Sequence, residues 1–183
     1  MLPKLTMLLP LNTIRINNPV SYQAMFERQV ARRDAIARGD ETSTLFLLEH
    51  TPVFTLGRDA HPEHLLKSSE TFAKMGIDVV PTDRGGDVTY HGPGQLVVYP
   101  IIKLPKRDVR DWLRRLEAFG VAFAQHFGVA AQPSVDGTGV FAGRRKFASI
   151  GVAIKHWISL HGISLNVSMD ATPFYEIEPC GLS

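Results

Sequence analysis

Cysteine is almost absent from this chain, since Cys180 is the only one among 183 residues. A single thiol excludes an intrachain disulfide and is typical of a protein that works in a reducing compartment. We therefore expect a cytoplasmic location.

A large excess of either charge is also missing. The chain has 20 basic and 18 acidic residues, a formal net charge of +2. This balance and the scattered basic residues give no indication of a nucleic-acid-binding protein. Hydrophobic residues make up 44% and charged residues 21%, values typical of a globular domain with its own core.

No uninterrupted apolar run is long enough to span a bilayer, so no membrane partner is expected. The N-terminal segment MLPKLTMLLPLN is apolar, but Pro10 interrupts it and no small-residue cleavage site follows. We interpret this segment as a first strand rather than a signal peptide.

Two segments carry apolar residues at helical spacing. The first predicts a helix from Ser21 to Arg38, ended by Gly39. The second predicts a helix over 109–127, with one apolar face formed by Val109, Trp112, Leu113, Leu116, Gly120, Phe123 and Phe127.

Strands are predicted elsewhere and outnumber the helices. TLFLLEH and VFTLGR form a predicted strand pair around Thr51 and Pro52, a short helix covers 65–75, and IDVVP is a strand. FASIGVAIKHW and ISLHGISLNV predict a hairpin that turns near Lys155 and His156. We therefore expect an α+β fold: a mixed, largely antiparallel sheet with helices packed against it.

The stretch RGGDVTYHGPGQLVVYPI combines four glycines and a proline with an apolar strand. Ordering glycine costs backbone entropy, so a segment this rich in glycine indicates sharp turns or a close approach to the main chain. We expect Gly85, Gly86, Gly92 and Gly94 to lie at such turns or at such a close approach.

Cys180 lies in EIEPCGLS between a proline and a glycine. It is either a small buried hydrophobe or, on a fixed turn, a presented nucleophile. A nucleophilic thiol needs a base, and a desolvated lysine such as Lys146 in GRRKFASIGV can serve. The sequence leaves the histidines as other candidates: His50, His91, His126, His156 and His161.

RGGDVTYHGPGQLVVYPI, GRRKFASIGVAIKHWISLHGISLNV and PCG together resemble, in order and spacing, the motifs of the lipoyl(octanoyl) transferases. The resemblance extends from TPVFTLGR to Cys180. It implies the fold shared by biotin and lipoate protein ligases, related to the catalytic domain of class II synthetases. We accordingly expect one acyltransferase catalytic domain over 1–183. Members of the family continue past the cysteine, so a truncated domain is one interpretation.

The resemblance also implies roles for individual residues. Cys180 matches the nucleophile that carries the acyl group as a thioester, and Lys146 matches the lysine paired with it. Three segments match the lining of the acyl pocket: Arg84, Gly85, Gly86, Asp87, Val88, Thr89, Tyr90 and His91; Ser149, Ile150 and Gly151; Gly162, Ile163 and Ser164. Ser164 replaces the family's usual alanine, and a hydroxyl there bears on chain-length preference.

The implied reaction moves an octanoyl group from acyl carrier protein to a lysine of a lipoyl domain or of the glycine-cleavage H protein. No metal or other cofactor is expected. An ATP-dependent lipoate or biotin ligase is the alternative enzyme, and Cys180 argues against it because such a ligase needs no cysteine. A non-catalytic module that binds carrier proteins is a third hypothesis.

Overall fold

The computed structural model describes residues 11–135 and 137–178. Within these residues the strands are β1 (Leu11–Arg15), β2 (Ser43–Leu48), β3 (Val53–Leu56), β4 (Asp78–Pro81), β5 (Val88–His91), β6 (Gln95–Ile101), β7 (Gln132–Pro133), β8 (Val140–Ala142), β9 (Arg145–Lys155) and β10 (Ile158–Asn166). The α-helices are α1 (Tyr22–Arg38), α2 (Ser69–Lys74) and α3 (Val109–His126), and 3₁₀ turns cover Pro62–His64 and Thr172–Glu176.

Two sheets form across the described residues. The larger has seven strands in the order β1-β2-β6-β10-β9-β8-β7, and all its pairs are antiparallel except β1 with β2. The smaller has the order β4-β3-β5 and joins a parallel to an antiparallel pair. The predicted α+β class with a mixed, largely antiparallel sheet is confirmed.

The two long helices begin and end where the sequence predicts. The Ser21 side chain accepts a hydrogen bond from the Ala24 N–H at the start of α1, and Gly39, at φ 86°, ends that helix in the left-handed conformation. The Asp108 carboxylate caps α3 by accepting from the first turn. Helix α1 packs Met25 and Ile36 on one part of the large sheet, and α3 packs Trp112 and Leu116 on another.

Three local expectations differ from the structure. Strands β2 and β3 do not pair, because Thr51 and Pro52 lead the chain from the large sheet into the small one. The helix expected over 65–75 begins only at Ser69, where the Ser68 hydroxyl caps it. Phe127 and Val109, at the ends of the apolar face of α3, are exposed. Residues 1–10, most of the expected first strand, lie outside the described residues.

The predicted hairpin of β9 and β10 is confirmed. Its turn consists of His156 and Trp157, which both adopt positive φ, 54° and 59°. A two-residue turn of this kind matches the right-handed twist of the flanking strands. None of the helices in the described part of the chain is long and apolar enough to cross a membrane.

Candidate active site

A cavity of about 1200 Å³ opens over strands β9 and β10. Its lining includes residues from all three sequence segments singled out above, together with Lys146. The hairpin contributes Ser149, Gly151, Gly162 and Ser164, and the chain before β5 contributes the loop that starts at Arg84.

Small residues form the floor of this cavity. Ser149 pairs with Ser164 and Gly151 pairs with Gly162, so two successive rungs of the hairpin carry no large side chain on this face. Residues two apart on a strand share a face, and paired residues lie side by side. The floor is therefore a shallow trough on which a thin, flexible molecule can lie.

Lys146 reaches the cavity because β9 contains a bulge. In the pairing of β8 with β9, Val140 faces Ala148 and Phe141 faces Lys146. Phe147 between them has no partner and is the additional residue of the bulge. Phe147 packs in the same cluster as Ala148 and lies near Phe123 of α3. The bulge thus brings Lys146 to the cavity, where its ammonium lies 6.0 Å from the centre of the Phe141 ring.

Arg84 is a buried structural residue as well as a cavity residue. Its guanidinium donates to the Thr55 carbonyl at 2.5 Å, to the Thr55 hydroxyl at 2.9 Å and to the Gly85 carbonyl at 3.1 Å. Its side chain crosses Gly151 so closely that a Cβ there would lie 2.9 Å from the Arg84 Cδ. Asp87 is also buried, and its carboxylate meets the imidazole of His64 at 2.6 Å.

The glycines of the first motif mostly accommodate other parts of this chain. Gly86 and Gly94 have φ of 84° and 82°, and a Cβ on Gly94 would lie 2.7 Å from the Met169 nitrogen. A Cβ on Gly92 would overlap the Tyr90 ring, and one on Gly162 would overlap the Val98 carbonyl oxygen. Of the four glycines in the first motif, Gly85 alone has neither a positive φ nor an atom closer than 3.7 Å to an added Cβ.

Two buried histidines adjoin the cavity: His91 lines it and His50 lies behind His91. His91 contacts the Gln95 amide oxygen through Nδ1 at 2.7 Å, and His50 contacts the Tyr99 hydroxyl through Nε2 at 2.8 Å. Burial lowers the pKa of His50 to about 4 and that of His91 to about 3. Gln95 continues the network to the side chain of Asn166, which donates to the Lys146 carbonyl.

A third histidine, His161, faces the cavity from β10 in an unusual backbone conformation, φ 58°. Its Nε2 lies 2.6 Å from the Asp83 carboxylate and its Nδ1 lies 3.1 Å from the Tyr22 hydroxyl. The hydrogen bond from His161 is the main cause that lowers the pKa of Asp83. Burial raises the pKa of Tyr22, so its hydroxyl remains protonated.

The structure brings most of the residues named from the sequence to one cavity. Tyr90 differs: its side chain packs with Phe54 and Phe174 in the core of the small sheet, because alternate residues of β5 face opposite sides. The side chain of Val88 belongs to the same core, although Val88 also borders the cavity. Cys180 lies outside the described residues. The lining residues that sequence reasoning missed include Tyr22, Tyr99 and Asn166, and it considered His161 only as one of five histidines.

Comparison with known proteins agrees with this geometry. Residues 21–181 match the Lipoyl protein ligase A/B catalytic domain. The chain belongs to this family. Octanoyltransferase from Laribacter hongkongensis is 48% identical over 78% of this chain and 67% of the relative, and octanoyltransferase from Solibacter usitatus is 44% identical over 90% and 76%. Octanoyltransferase from Geobacter metallireducens is 42% identical over 92% and 77%.

Solved structures of the lipoyl protein ligase family share the fold. A bi-partite lipoate protein ligase from Thermoplasma acidophilum superposes with a TM-score of 0.66 at 18% identity, covering 91% of this chain and 64% of that one. Lipoate-protein ligase A bound with ATP gives 0.67 at 17% identity, covering 91% and 70%. The expected ligase-like fold is confirmed.

Proposed function

We propose that this protein is an octanoyltransferase of lipoate biosynthesis. It takes the octanoyl group from octanoyl-acyl carrier protein and passes it, through a cysteine thioester, to a lysine of a lipoyl domain. The observation that carries the proposal is the identity of 42–48% to octanoyltransferases over most of the chain. The trough beside Lys146 supports it, because it suits a thin acyl chain next to a basic amine.

In the first half of the reaction, Lys146 takes the proton of the Cys180 thiol. The thiolate attacks the carbonyl carbon of the donor thioester, so a new carbon–sulfur bond forms on the enzyme. The bond to the sulfur of the carrier then breaks, and Lys146 returns its proton to that sulfur.

In the second half, the ε-amine of the acceptor lysine attacks the enzyme thioester. A carbon–nitrogen bond forms and the bond to Cys180 breaks, while Lys146 carries the amine proton to the leaving thiolate. An amide is more stable than a thioester, so neither half needs ATP, a metal or another cofactor.

The floor supplies binding energy for the acyl chain. Octanoyl has about six methylenes, and burying each contributes about 0.8 kcal/mol, which amounts to about 5 kcal/mol for a chain enclosed by the trough. Ser149 and Ser164 keep their part of the floor free of large side chains, whereas the side chain of Arg84 already covers Gly151.

The acceptors are the lipoyl domains of 2-oxoacid dehydrogenase complexes and the glycine-cleavage H protein, and the reaction takes place in the cytoplasm. Residues 1–183 act as one catalytic domain. His91 is a poor alternative to Lys146 as the base, because burial lowers its pKa to about 3 and Gln95 already contacts its Nδ1.

Intact-mass spectrometry after incubation with octanoyl-acyl carrier protein tests this proposal. We expect the protein to gain one octanoyl group without ATP, to lose it when a lipoyl domain is added, and to gain none as Cys180→Ser. A ligase would instead fail to acquire the group and would octanoylate the lipoyl domain only when ATP and octanoate are supplied. Failure in both assays would favour a carrier-binding module.

A further inference from the structure

His161 adopts its left-handed conformation because the strand beside it cannot complete the ladder. Pro100 lies opposite His161 in the register that joins Ile163 to Val98, and proline has no N–H to donate. The His161 N–H turns away and donates to the Gln29 side chain of α1 at 2.8 Å. The Pro100 carbonyl accepts from the Ser159 hydroxyl instead.

This backbone kink moves the His161 side chain to the cavity face of the sheet. Its hairpin partner Val152 and its neighbour Ile163 belong to the core cluster beneath α3. The His161 ring instead stacks on Phe26 of α1, with centroids 5.5 Å apart and planes 4° apart. A strained residue held by several independent contacts marks a functional position in many proteins.

The ring is held at both nitrogens. Tyr22 and Asp83 occupy Nδ1 and Nε2, and only 2% of the His161 side chain is exposed. Tyr99 packs edge-on against the same ring at 6.3 Å. Tyr22, His161 and Asp83 therefore form a rigid polar group, which we call the end wall.

The end wall lies at one end of the trough and Lys146 lies at the other. From the Lys146 end, the paired residues of the hairpin follow in order: Ser149 with Ser164, Ile150 with Ile163, Gly151 with Gly162, then Val152 with His161. Lys146 and the end wall are about 17 Å apart along β9, at about 3.3 Å per residue with one residue in the bulge. The seven carbon–carbon bonds of an octanoyl chain span about 9 Å, between two and three extended residues.

We propose that the end wall of Tyr22, His161 and Asp83 sets the acyl chain length by stopping the tip of a medium-length chain. This inference rests on the proposed function, because it assumes an acyl thioester near Lys146. A longer chain has to displace the side chains of Tyr22 and His161, which are buried and hydrogen-bonded, and such groups are costly to leave unpaired.

His161→Gly tests the end wall. Glycine removes the ring and adopts φ 58° without strain, so the variant opens the trough without forcing the backbone. The kcat/KM values for octanoyl and dodecanoyl thioesters of the same carrier protein are measured for wild type and variant. We expect wild type to prefer octanoyl, and we expect the dodecanoyl-to-octanoyl ratio to rise by about tenfold or more in the variant, because pocket shape discriminates on this scale.

His156→Gly is the matched control. It removes a histidine with φ 54° from the same hairpin, at an exposed position away from the cavity, so it reproduces the composition change and the relief of strain. We expect it to leave the ratio unchanged. His161→Asn, which also tolerates this conformation, should give an intermediate ratio and serves if the glycine variant does not fold.

Calorimetric titration with octanoate and dodecanoate provides a readout independent of transfer. Here the ratio of the two affinities should shift in the same direction in His161→Gly. An equal loss for both chain lengths, or a wild type that accepts dodecanoyl as well as octanoyl, would overturn the end wall. A wild type that transfers neither group would contradict the proposed function, while the affinity ratio would still decide on the end wall.

Discussion

Lys146 occupies the cavity only because one extra residue, Phe147, bulges from β9. As the proposed base it has to release a proton as well as hold one, which arginine cannot do. We predict that Lys146→Arg lowers kcat/KM for the octanoyl thioester by about 100-fold or more, the contribution typical of a general base.

Lys155→Arg, at the other end of the same strand, is the control and should retain wild-type kinetics. If Lys146→Arg were active, the residue would contribute positive charge alone, and the assignment of the base would be wrong.

Gly162 and Gly85 differ in the space around them, although both line the cavity. A Cβ on Gly162 would overlap the main-chain oxygen of Val98 and approach Pro100, whereas the nearest atom to a Cβ on Gly85 is 3.7 Å away. We predict that Gly162→Ala lowers the free energy of unfolding by about 1–3 kcal/mol, the usual cost of overpacking. Gly85→Ala should change it little, as measured by urea denaturation. Equal effects would mean that the strand relaxes around the methyl group.

Gln29 contributes a buried hydrogen bond between helix α1 and the sheet, since it accepts the N–H of His161 at 2.8 Å. In Gln29→Ala that amide loses its partner, and a buried unpaired group costs about 1–3 kcal/mol. We predict a loss of stability of this size in urea denaturation. The control is Gln23→Ala on the same helix, which removes only an exposed contact with Glu27. A loss no larger than that of the control would show that water replaces Gln29.

The elements that follow from local sequence were predicted from it. Ser21 and Gly39 mark the ends of α1 because caps depend on adjacent residues, and the β9–β10 hairpin follows from two neighbouring apolar patterns. Pairing between distant segments was less predictable. Strands β2 and β3 looked like a pair, but β2 fits between β1 and β6, a choice that depends on the whole sheet.

The site was predictable as a set of motifs but not in its geometry. The motifs identified the lining, yet Tyr90 of the same motif packs into the core of the small sheet. The conformation of His161 depends on Pro100 in another strand and on Gln29 in a helix, so no local pattern in the hairpin indicates it.

At the scale of the whole molecule, stability should depend on pH through two buried histidines. The pKa of His50 is lowered to about 4 and that of His91 to about 3, mainly by burial, whereas an unfolded histidine titrates near 6.5. Between these values the unfolded state binds more protons than the folded one. Stability is therefore lost as the pH falls from about 6.5, by up to about 1.4 kcal/mol per pH unit for each group.

We predict that the free energy of unfolding falls between pH 7 and pH 5, and that His50→Gln makes this dependence less steep. The exposed His156 provides the control, since His156→Gln should leave the slope unchanged. The lowered pKa of Asp83 acts only at more acidic pH, below the window tested. If the wild type, His50→Gln and His156→Gln all show the same dependence of unfolding free energy on pH, His50 is protonated in the folded state without cost.

The proposed reaction requires an acidic carrier protein to dock near the Lys146 end of the cavity. Arg144 and Arg145 are exposed beside Lys146, and within residues 11–135 and 137–178 neither forms an ion pair. Exposed charges of this kind mainly raise the rate of encounter, and salt screens them over about 8 Å at physiological ionic strength.

We predict that Arg144→Glu raises the KM for octanoyl-acyl carrier protein more than the KM for octanoyl-pantetheine, a small donor without a carrier. Arg28→Glu on α1 makes the same change in net charge at another exposed position and should raise neither. An equal rise for both donors in Arg144→Glu would indicate damage to the cavity, and no rise for either, with activity insensitive to salt, would place the docking surface elsewhere.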